Sequence, residues 1–165
     1  MKNYANEMIT FNGCPGCAYA NHEFSLPCGM AYENDKWTLS QDWELPIEGF
    51  FVVCPKRHVD KLSELTTDER NEMFDIVNKT ILILRNNNIC DRFDIILEEK
   101  ENRHLHVWIM PRHSWMNEVS SDIIDNIGIV FDYAKTNFRK KEVYERINEI
   151  TKLVQKNFLS KWKID

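Results

Sequence analysis

The sequence predicts an α+β fold, in which one long helix lies across an antiparallel sheet and a helical extension follows at the C-terminus. Three observations lead to this prediction. Residues 49–54 form an apolar run that glycine opens and proline closes, as is typical of a buried strand. Thr66 begins a capping-box pattern ahead of a long amphipathic stripe. From residue 117 onward the chain carries two further helical patterns.

The strands are predicted from short apolar or alternating segments bounded by turn residues. Two short strands are expected around residues 30–32 and 37–39, ahead of the buried strand at 49–54. Residues 93–97 predict another strand, and residues 104–110 predict its antiparallel neighbour. The segment that joins these last two strands is short and charged.

The helices are predicted from apolar spacings of three and four residues. The helix that starts after Thr66 is expected to end at the asparagine run 86–88. Residues 119–136 predict a helix with Ser120 as a possible N-cap, and residues 139–160 predict an amphipathic one. Packing on the main domain explains these helices more simply than binding of a partner does.

Length and composition bound the function. The chain has 165 residues, of which 43% are hydrophobic and 28% charged, as expected for a globular protein. We expect a domain over residues 1–116 and a C-terminal helical extension over residues 117–165 that packs on it. A net charge of −5 argues against an extended nucleic-acid surface. The N-terminus resembles no signal peptide, and no apolar run is long enough to cross a membrane, so a cytoplasmic location is predicted.

Two histidines mark the predicted strand at 104–110. His104, His106 and Trp108 occupy alternate positions and therefore share one face. Two imidazoles on one face are typical of metal binding and of nucleophilic or acid–base chemistry. Because a histidine that holds a metal cannot also attack a substrate, His106 is the better candidate for the nucleophile. The alternative is that His106 is a structural histidine.

The cysteines point to a metal or redox pair. Their number is five, and a close pair in a chain without an export signal favours metal or redox chemistry over disulfides. Cys14 and Cys17 are separated by Pro-Gly, which suits a tight turn that aims both sulfurs at one point. Tetrahedral zinc needs four ligands, and His58 and His104 are the obvious remaining candidates, with Cys28 in reserve. Free or redox-active thiols at the pair are the alternative.

Polar residues just before the histidines are candidates for phosphate contacts. Lys100, Asn102 and Arg103 carry hydrogen-bond donors that suit phosphate oxygens. A solvated loop is the equally simple alternative.

Three motifs in order resemble the histidine triad (HIT-like) superfamily. HLHVWIMPR, residues 104–112, resembles the family's His-φ-His-φ-His-φ-φ motif. GFFVVCPKRHVDKLSELTTDER, residues 49–70, resembles its buried strand, Pro-Lys-x-His turn and following helix, and CPGC resembles the cysteine pair of its zinc-binding members. The resemblance covers roughly residues 14–113 and implies a HIT-like fold.

The resemblance also implies roles for individual residues. Zinc-binding members, including galactose-1-phosphate uridylyltransferases, hold a structural zinc at positions that match Cys14, Cys17, His58 and His104. The middle histidine of the motif, here His106, is the family's nucleophile. It forms a nucleotidyl-histidine intermediate that water or another acceptor resolves.

Four residues are predicted to bind the substrate on the same basis. Asp42 is the nearest match to an acidic residue that holds ribose hydroxyls, and Asn102-Arg103 stands where the uridylyltransferases have Asn-Pro. Trp108 replaces the third histidine, which normally donates to the phosphate or the leaving group. An indole donates one N–H but cannot titrate.

Three functions are compatible with these residues. The first is a nucleotide phosphohydrolase or nucleotidyltransferase that acts through His106 on a nucleotide or phosphoester and carries a structural zinc. The second is a non-catalytic nucleotide- or ligand-binding protein whose activity Trp108 abolishes or redirects. The third is a protein-interaction module in residues 119–165. The resemblance also implies a homodimer.

Overall fold

The computed structural model describes residues 2–99 and 103–160. Its strands form one sheet in the order β1-β2-β3-β5-β4, and every neighbouring pair is antiparallel. The strands are β1 (Tyr32–Glu33), β2 (Trp37–Gln41), β3 (Phe51–Pro55), β4 (Phe93–Leu97) and β5 (Val107–Pro111). The predicted α+β class is therefore confirmed.

Five α-helices accompany the sheet in the described part of the chain. They are α1 (Pro15–Ala20), α2 (Thr67–Asn86), α3 (Ser114–Val119), α4 (Ile127–Asn137) and α5 (Lys141–Leu159). The predicted capping box opens α2: the Thr66 hydroxyl accepts from the Glu69 N–H, and the Glu69 carboxylate accepts from the Thr66 N–H. Within residues 2–99 and 103–160, no helix combines the length and apolar character that spanning a bilayer would require.

The main core lies between the sheet and helices α2 and α5. Leu39, Val53 and Ile109 from the sheet meet Met73 and other apolar residues of α2. The side chains of α5 that join this core are Ile150 and Val154. Burying an aliphatic side chain of this size contributes about 1.5–3 kcal/mol, so α5 is part of what stabilises the sheet.

The helix predicted at 119–136 is wrong in its first half. The chain forms the short helix α3, which ends at Val119 with Ser120 as its C-cap, and α4 begins only at Ile127. The Ser120 hydroxyl accepts from the Asp122 N–H, and the Asp122 carboxylate accepts from the Asp125 N–H. Such local side-chain bonds compete with helical hydrogen bonding, which explains the interruption.

The strand predicted at 104–110 begins three residues late, at Val107. The register pairs Val53 with Val107, so Leu105 would face Pro55 if pairing continued. Because proline has no N–H, the ladder cannot continue there in the usual way. The Leu105 N–H instead donates to the Val59 carbonyl at 2.6 Å. His104 therefore lies on an extended segment just outside the regular sheet.

Candidate functional site

Four predicted metal ligands lie together. The ligand atoms of Cys14, Cys17, His58 and His104 are all within 4.8 Å of one another. His104 Nδ1 is 3.4 Å from Cys14 Sγ and 3.5 Å from Cys17 Sγ, and His58 Nδ1 is 3.3 Å from Cys17 Sγ. Ligands of a tetrahedral zinc with ordinary Zn–S and Zn–N bonds lie about 3.6 Å apart. The donor set and its spacing therefore fit zinc.

The surroundings of His104 leave its Nδ1 available as a ligand. Its Nε2 is 2.7 Å from the Pro55 carbonyl, which can only accept, so Nε2 carries the proton. Burial lowers the pKa of His104, which is only 6% exposed, and keeps the ring neutral. A neutral imidazole with a lone pair toward two sulfurs is the state that a metal requires.

The cysteine pair, which was predicted to lie in a tight turn, lies at the start of a helix. Cys14 is the N-cap of α1 and Cys17 lies in its first turn. Burial is the main cause that raises the pKa of Cys17 to about 11 in the metal-free chain, so its sulfur is a thiol at neutral pH. A bound dication would displace that proton and hold the thiolate.

Gly16 packs directly on His104, a contact that the sequence reasoning missed. A Cβ at position 16 would lie 2.5 Å from His104 Cγ and 2.8 Å from its Cβ. Neither of these atoms is the far end of a flexible side chain. The glycine inside the C-x-x-C pattern was the available signal for this close approach.

His106 has one nitrogen tethered and one free. Its Nδ1 is 3.0 Å from the His104 carbonyl, so Nδ1 carries the proton and donates it. Among residues 2–99 and 103–160, Nε2 has no hydrogen-bond partner. The ring is partly exposed and lines a cleft of ≈ 570 Å³. An imidazole that has one nitrogen tethered and the lone pair of the other open can act as a nucleophile.

The cleft has a size suited to a small organic molecule. The residues of the earlier predictions that line it are Asp42, Arg103, His104, His106 and Trp108, together with the cysteine pair's Cys14. Asn102 lies outside the residues that the structure describes. The structure therefore brings Asp42, Arg103 and Trp108, three of the four predicted substrate-binding residues, to one cleft.

Asp42 is held in the cleft by the backbone. Its Oδ1 accepts from the N–H groups of Glu44 and Leu45, each at 2.9 Å. Burial raises the pKa of the Asp42 carboxyl, while these two hydrogen bonds and His106 act in the opposite direction. Since both backbone bonds go to Oδ1, Oδ2 is the oxygen left for a ligand hydroxyl.

Trp108 packs among aromatic rings. Its ring centroid lies 5.8 Å from that of Phe50 and 5.6 Å from that of Phe131, both edge to face. The centroid of His106 is also 5.6 Å away. Trp108 therefore connects the histidine segment to α4.

Helix α4 supplies a wall of the cleft that the sequence did not reveal. Phe131 and Lys135, one turn apart, both line it. Lys135 Nζ is 2.8 Å from Glu44 Oε1, which also lines the cleft. Their helical spacing was visible in the sequence, but no chemical motif distinguished them from ordinary packing and surface residues.

Comparisons with known proteins agree with this geometry. The model of the HIT domain family matches residues 23–115. An uncharacterised HIT-like protein of Methanocaldococcus jannaschii is 27% identical in an alignment of 111 residues that covers 64% of this chain and 84% of the relative.

Solved structures share the fold. A histidine triad nucleotide-binding protein, described as hypothetical, from Sulfolobus tokodaii strain 7 matches with a TM-score of 0.63 and 21% identity, over 92% of this chain and 100% of that one. A Zn-bound histidine triad family protein from Mycobacterium smegmatis matches with a TM-score of 0.61 and 16% identity, over 87% of this chain and 91% of that one. At these identities the likeness concerns the fold alone.

Proposed function

Because the chain belongs to the HIT domain family, we propose that it is a nucleotide phosphohydrolase or nucleotidyltransferase with His106 as its nucleophile. One observation carries the proposal. The Nδ1–H of His106 is held by the His104 carbonyl, while Nε2 lacks a partner among the described residues of a cleft sized for a small molecule.

The chemistry that follows is a double displacement. The Nε2 lone pair bonds to the α-phosphorus, and the bond from phosphorus to the leaving oxygen breaks with its electron pair going to that oxygen. The oxygen of water or of another acceptor then attacks the phosphorus and loses its proton to solvent, and the phosphorus–nitrogen bond breaks with its electron pair returning to Nε2. Throughout, the His104 carbonyl accepts from Nδ1–H and stabilises positive charge on the ring of His106.

The family's nucleotide chemistry also suggests which residues hold the substrate. We propose that Asp42 accepts hydrogen bonds from ribose hydroxyls through Oδ2. Arg103 and Asn102 donate to phosphate oxygens, and Trp108 provides an aromatic surface and one N–H. The Sulfolobus tokodaii protein, which is named a nucleotide-binding protein, supports the ligand class.

We also propose that Cys14, Cys17, His58 and His104 hold a structural zinc. Their mutual distances support it, as does the Zn-bound relative from Mycobacterium smegmatis. When bound, the metal would tie α1 to the segment that carries the nucleophile. Metal analysis of the purified protein should give one zinc per chain, and Cys14→Ser should lose it. The site would be rejected if the wild type held well below one zinc per chain and Cys14→Ser held the same amount.

Labelling tests the nucleophile. The protein is incubated with nucleotides radiolabelled at the α-phosphate, covering adenylyl, guanylyl and uridylyl donors, and acid-labile label is sought on the chain. We expect label on the wild type and none on His106→Ala. His113→Ala is the matched control, because His113 Nε2 donates to the Glu48 carbonyl and lines no part of the His106 cleft. If no donor gives either an adduct or turnover, the proposal that the protein is an enzyme is rejected.

Trp108 favours a second candidate, a nucleotide-binding protein without turnover. Its indole is packed between Phe50 and Phe131 and does not titrate, so it cannot pass a proton to a leaving group as a histidine can. Under this proposal the wild type binds nucleotide without forming an adduct, and Trp108→His produces a large gain in hydrolysis. An adduct on His106 in the wild type would reject it.

A further inference from the structure

A line of contacts runs from the nucleophile to the C-terminal part of the chain. The rings of His106 and Trp108 have centroids 5.6 Å apart, and the same distance separates Trp108 from Phe131 of α4. Lys135 lies one helical turn beyond Phe131. The packing of Trp108 on α4 therefore sets where Lys135 stands beside the cleft.

Lys135 forms an ion pair across part of the cleft lining. Its Nζ lies 2.8 Å from Glu44 Oε1, and the two side chains are 30% and 45% exposed. Glu44 belongs to the loop that follows β2, and its neighbour Asp42 is fixed by two backbone N–H groups. The pair thus neutralises a cation that faces the cleft, although exposed pairs of this kind add little to the stability of a fold.

A phosphate that binds in the cleft needs positive charge nearby, but the acidic residues of the cleft lining balance its basic residues when no substrate is bound. The described charged side chains along the lining are two acids, Asp42 and Glu44, and two bases, Arg103 and Lys135. Trp108 adds no charge to the lining, because its indole is neutral and offers only one N–H. Lysine carries a compact charge on a flexible stem and can exchange one anionic partner for another.

We propose that Lys135 binds the phosphate group of the substrate, exchanging its ion pair with Glu44 for the phosphate when the substrate binds. Helix α4, which packs on Trp108, would then supply the positive charge that Trp108 does not. The inference rests on the proposed nucleotide site and adds a residue from the C-terminal part of the chain to it. It requires that Lys135 strengthens the binding of phosphate and that Glu44, its partner in the ion pair, weakens it.

Calorimetric titration with adenosine 5′-monophosphate and adenosine, and with uridine 5′-monophosphate and uridine, tests this. These probes contain no bond that would be turned over, so the full wild-type protein can be used. Lys135→Met should weaken binding of the monophosphates at least about tenfold and leave nucleoside binding unchanged. Glu44→Gln should tighten binding of the monophosphates, since it removes a competing and repulsive carboxylate.

Two further variants are controls. Lys141→Met removes the same charge from a lysine that is 83% exposed and pairs with Glu145 at 3.6 Å, so it should change nothing. Lys135→Arg keeps the charge and should retain binding within about threefold. Thermal melting of each variant shows that the chain is folded, and Glu44→Gln carries the test if Lys135→Met does not fold.

The outcomes separate the inference from the proposed function. If Lys135→Met and Glu44→Gln weaken the binding of monophosphates alike, the ion pair is only structural and the inference is overturned. The inference is also overturned if Lys135→Met binds monophosphates as tightly as the wild type does. In that case the proposed nucleotide site is unaffected. If the wild type binds none of the four probes, both fail.

Discussion

At the scale of single residues, the contact of Gly16 with His104 decides whether the proposed metal ligands can meet. A methyl group at position 16 would lie 2.5 Å from His104 Cγ, and a ring displaced by that contact would carry Nδ1 away from the two sulfurs. The absence of a side chain at position 16 is as necessary to the proposed zinc site as its four proposed ligands are.

We therefore expect Gly16→Ala to lower zinc affinity by about ten- to a hundredfold, as displacement of groups that orient a ligand typically does. Competition with a chromophoric chelator measures the affinity. Gly128→Ala is the matched control, because nothing lies within 4 Å of a Cβ there and the position is inside α4. Equal zinc affinities of the two variants and the wild type would contradict the prediction.

At the scale of elements, the start of α2 is joined to the loop after β3 by one carboxylate. Glu69 accepts from Nε and Nη2 of Arg57, both at 2.9 Å, as well as from the Thr66 N–H. These bonds, led by those from Arg57, lower the pKa of Glu69 to about 2. The helix cap thereby also fixes the Pro-Lys-Arg-His segment that carries the proposed metal ligand His58.

This ion pair predicts how stability depends on pH. The pKa of Glu69 in the folded protein lies below the unfolded value of about 4.3, so its stabilising contribution is present above pH 4.3 and is lost as the pH falls toward 2. Glu69→Gln should flatten the decrease in the free energy of unfolding over that range, measured by urea titration at several pH values.

Glu64→Gln is the matched control for this prediction. It removes the same charge nearby, but Arg57 bonds to the backbone carbonyl of Glu64 and not to its carboxylate. A pH profile of Glu69→Gln that coincides with the wild type's would show that the pair contributes nothing to acid stability.

The elements also show where sequence reasoning succeeds and where it does not. The capping box at Thr66 and the buried run that became β3 are local signals, and both were read correctly. The late start of β5 depends on Pro55, which lies 50 residues before Leu105 and would stand opposite it only through the register of the sheet. Local pattern alone does not contain that pairing.

The same distinction applies to the site. Cys14, Cys17, His58 and His104 belong to residue types and spacings that few other roles require, so their convergence was predictable. Lys135 is one of many lysines on amphipathic helices, and only the packing of α4 on Trp108 brings it to the cleft.

At the scale of the whole molecule, the division at residue 116 and the homodimer remain predictions. The sheet ends at β4, whose Ile95 is 42% exposed, and Phe74 of α2 is 55% exposed. A pairing of two copies through the sheet edge and the helix would cover such apolar side chains.

Sedimentation equilibrium should accordingly give twice the mass of one chain, and Ile95→Lys should shift the protein toward the monomer because it would bury a charge in the contact. Ile129→Lys is the control, since Ile129 is 58% exposed and belongs to α4, which is neither an edge strand nor the helix α2 of the proposed contact. Wild-type protein that remains monomeric at every concentration would refute the dimer.

The proposed zinc ligands are far apart along the chain. Cys17 and His58 are separated by 41 residues, and Cys14 and His104 by 90. An unfolded chain does not present these four groups together, so zinc would bind the native state in strong preference to the unfolded one. By mass action, each tenfold rise in free zinc above its dissociation constant would then add about 1.4 kcal/mol to the free energy of unfolding. The availability of one trace metal would set how much of this protein is folded, independently of any substrate.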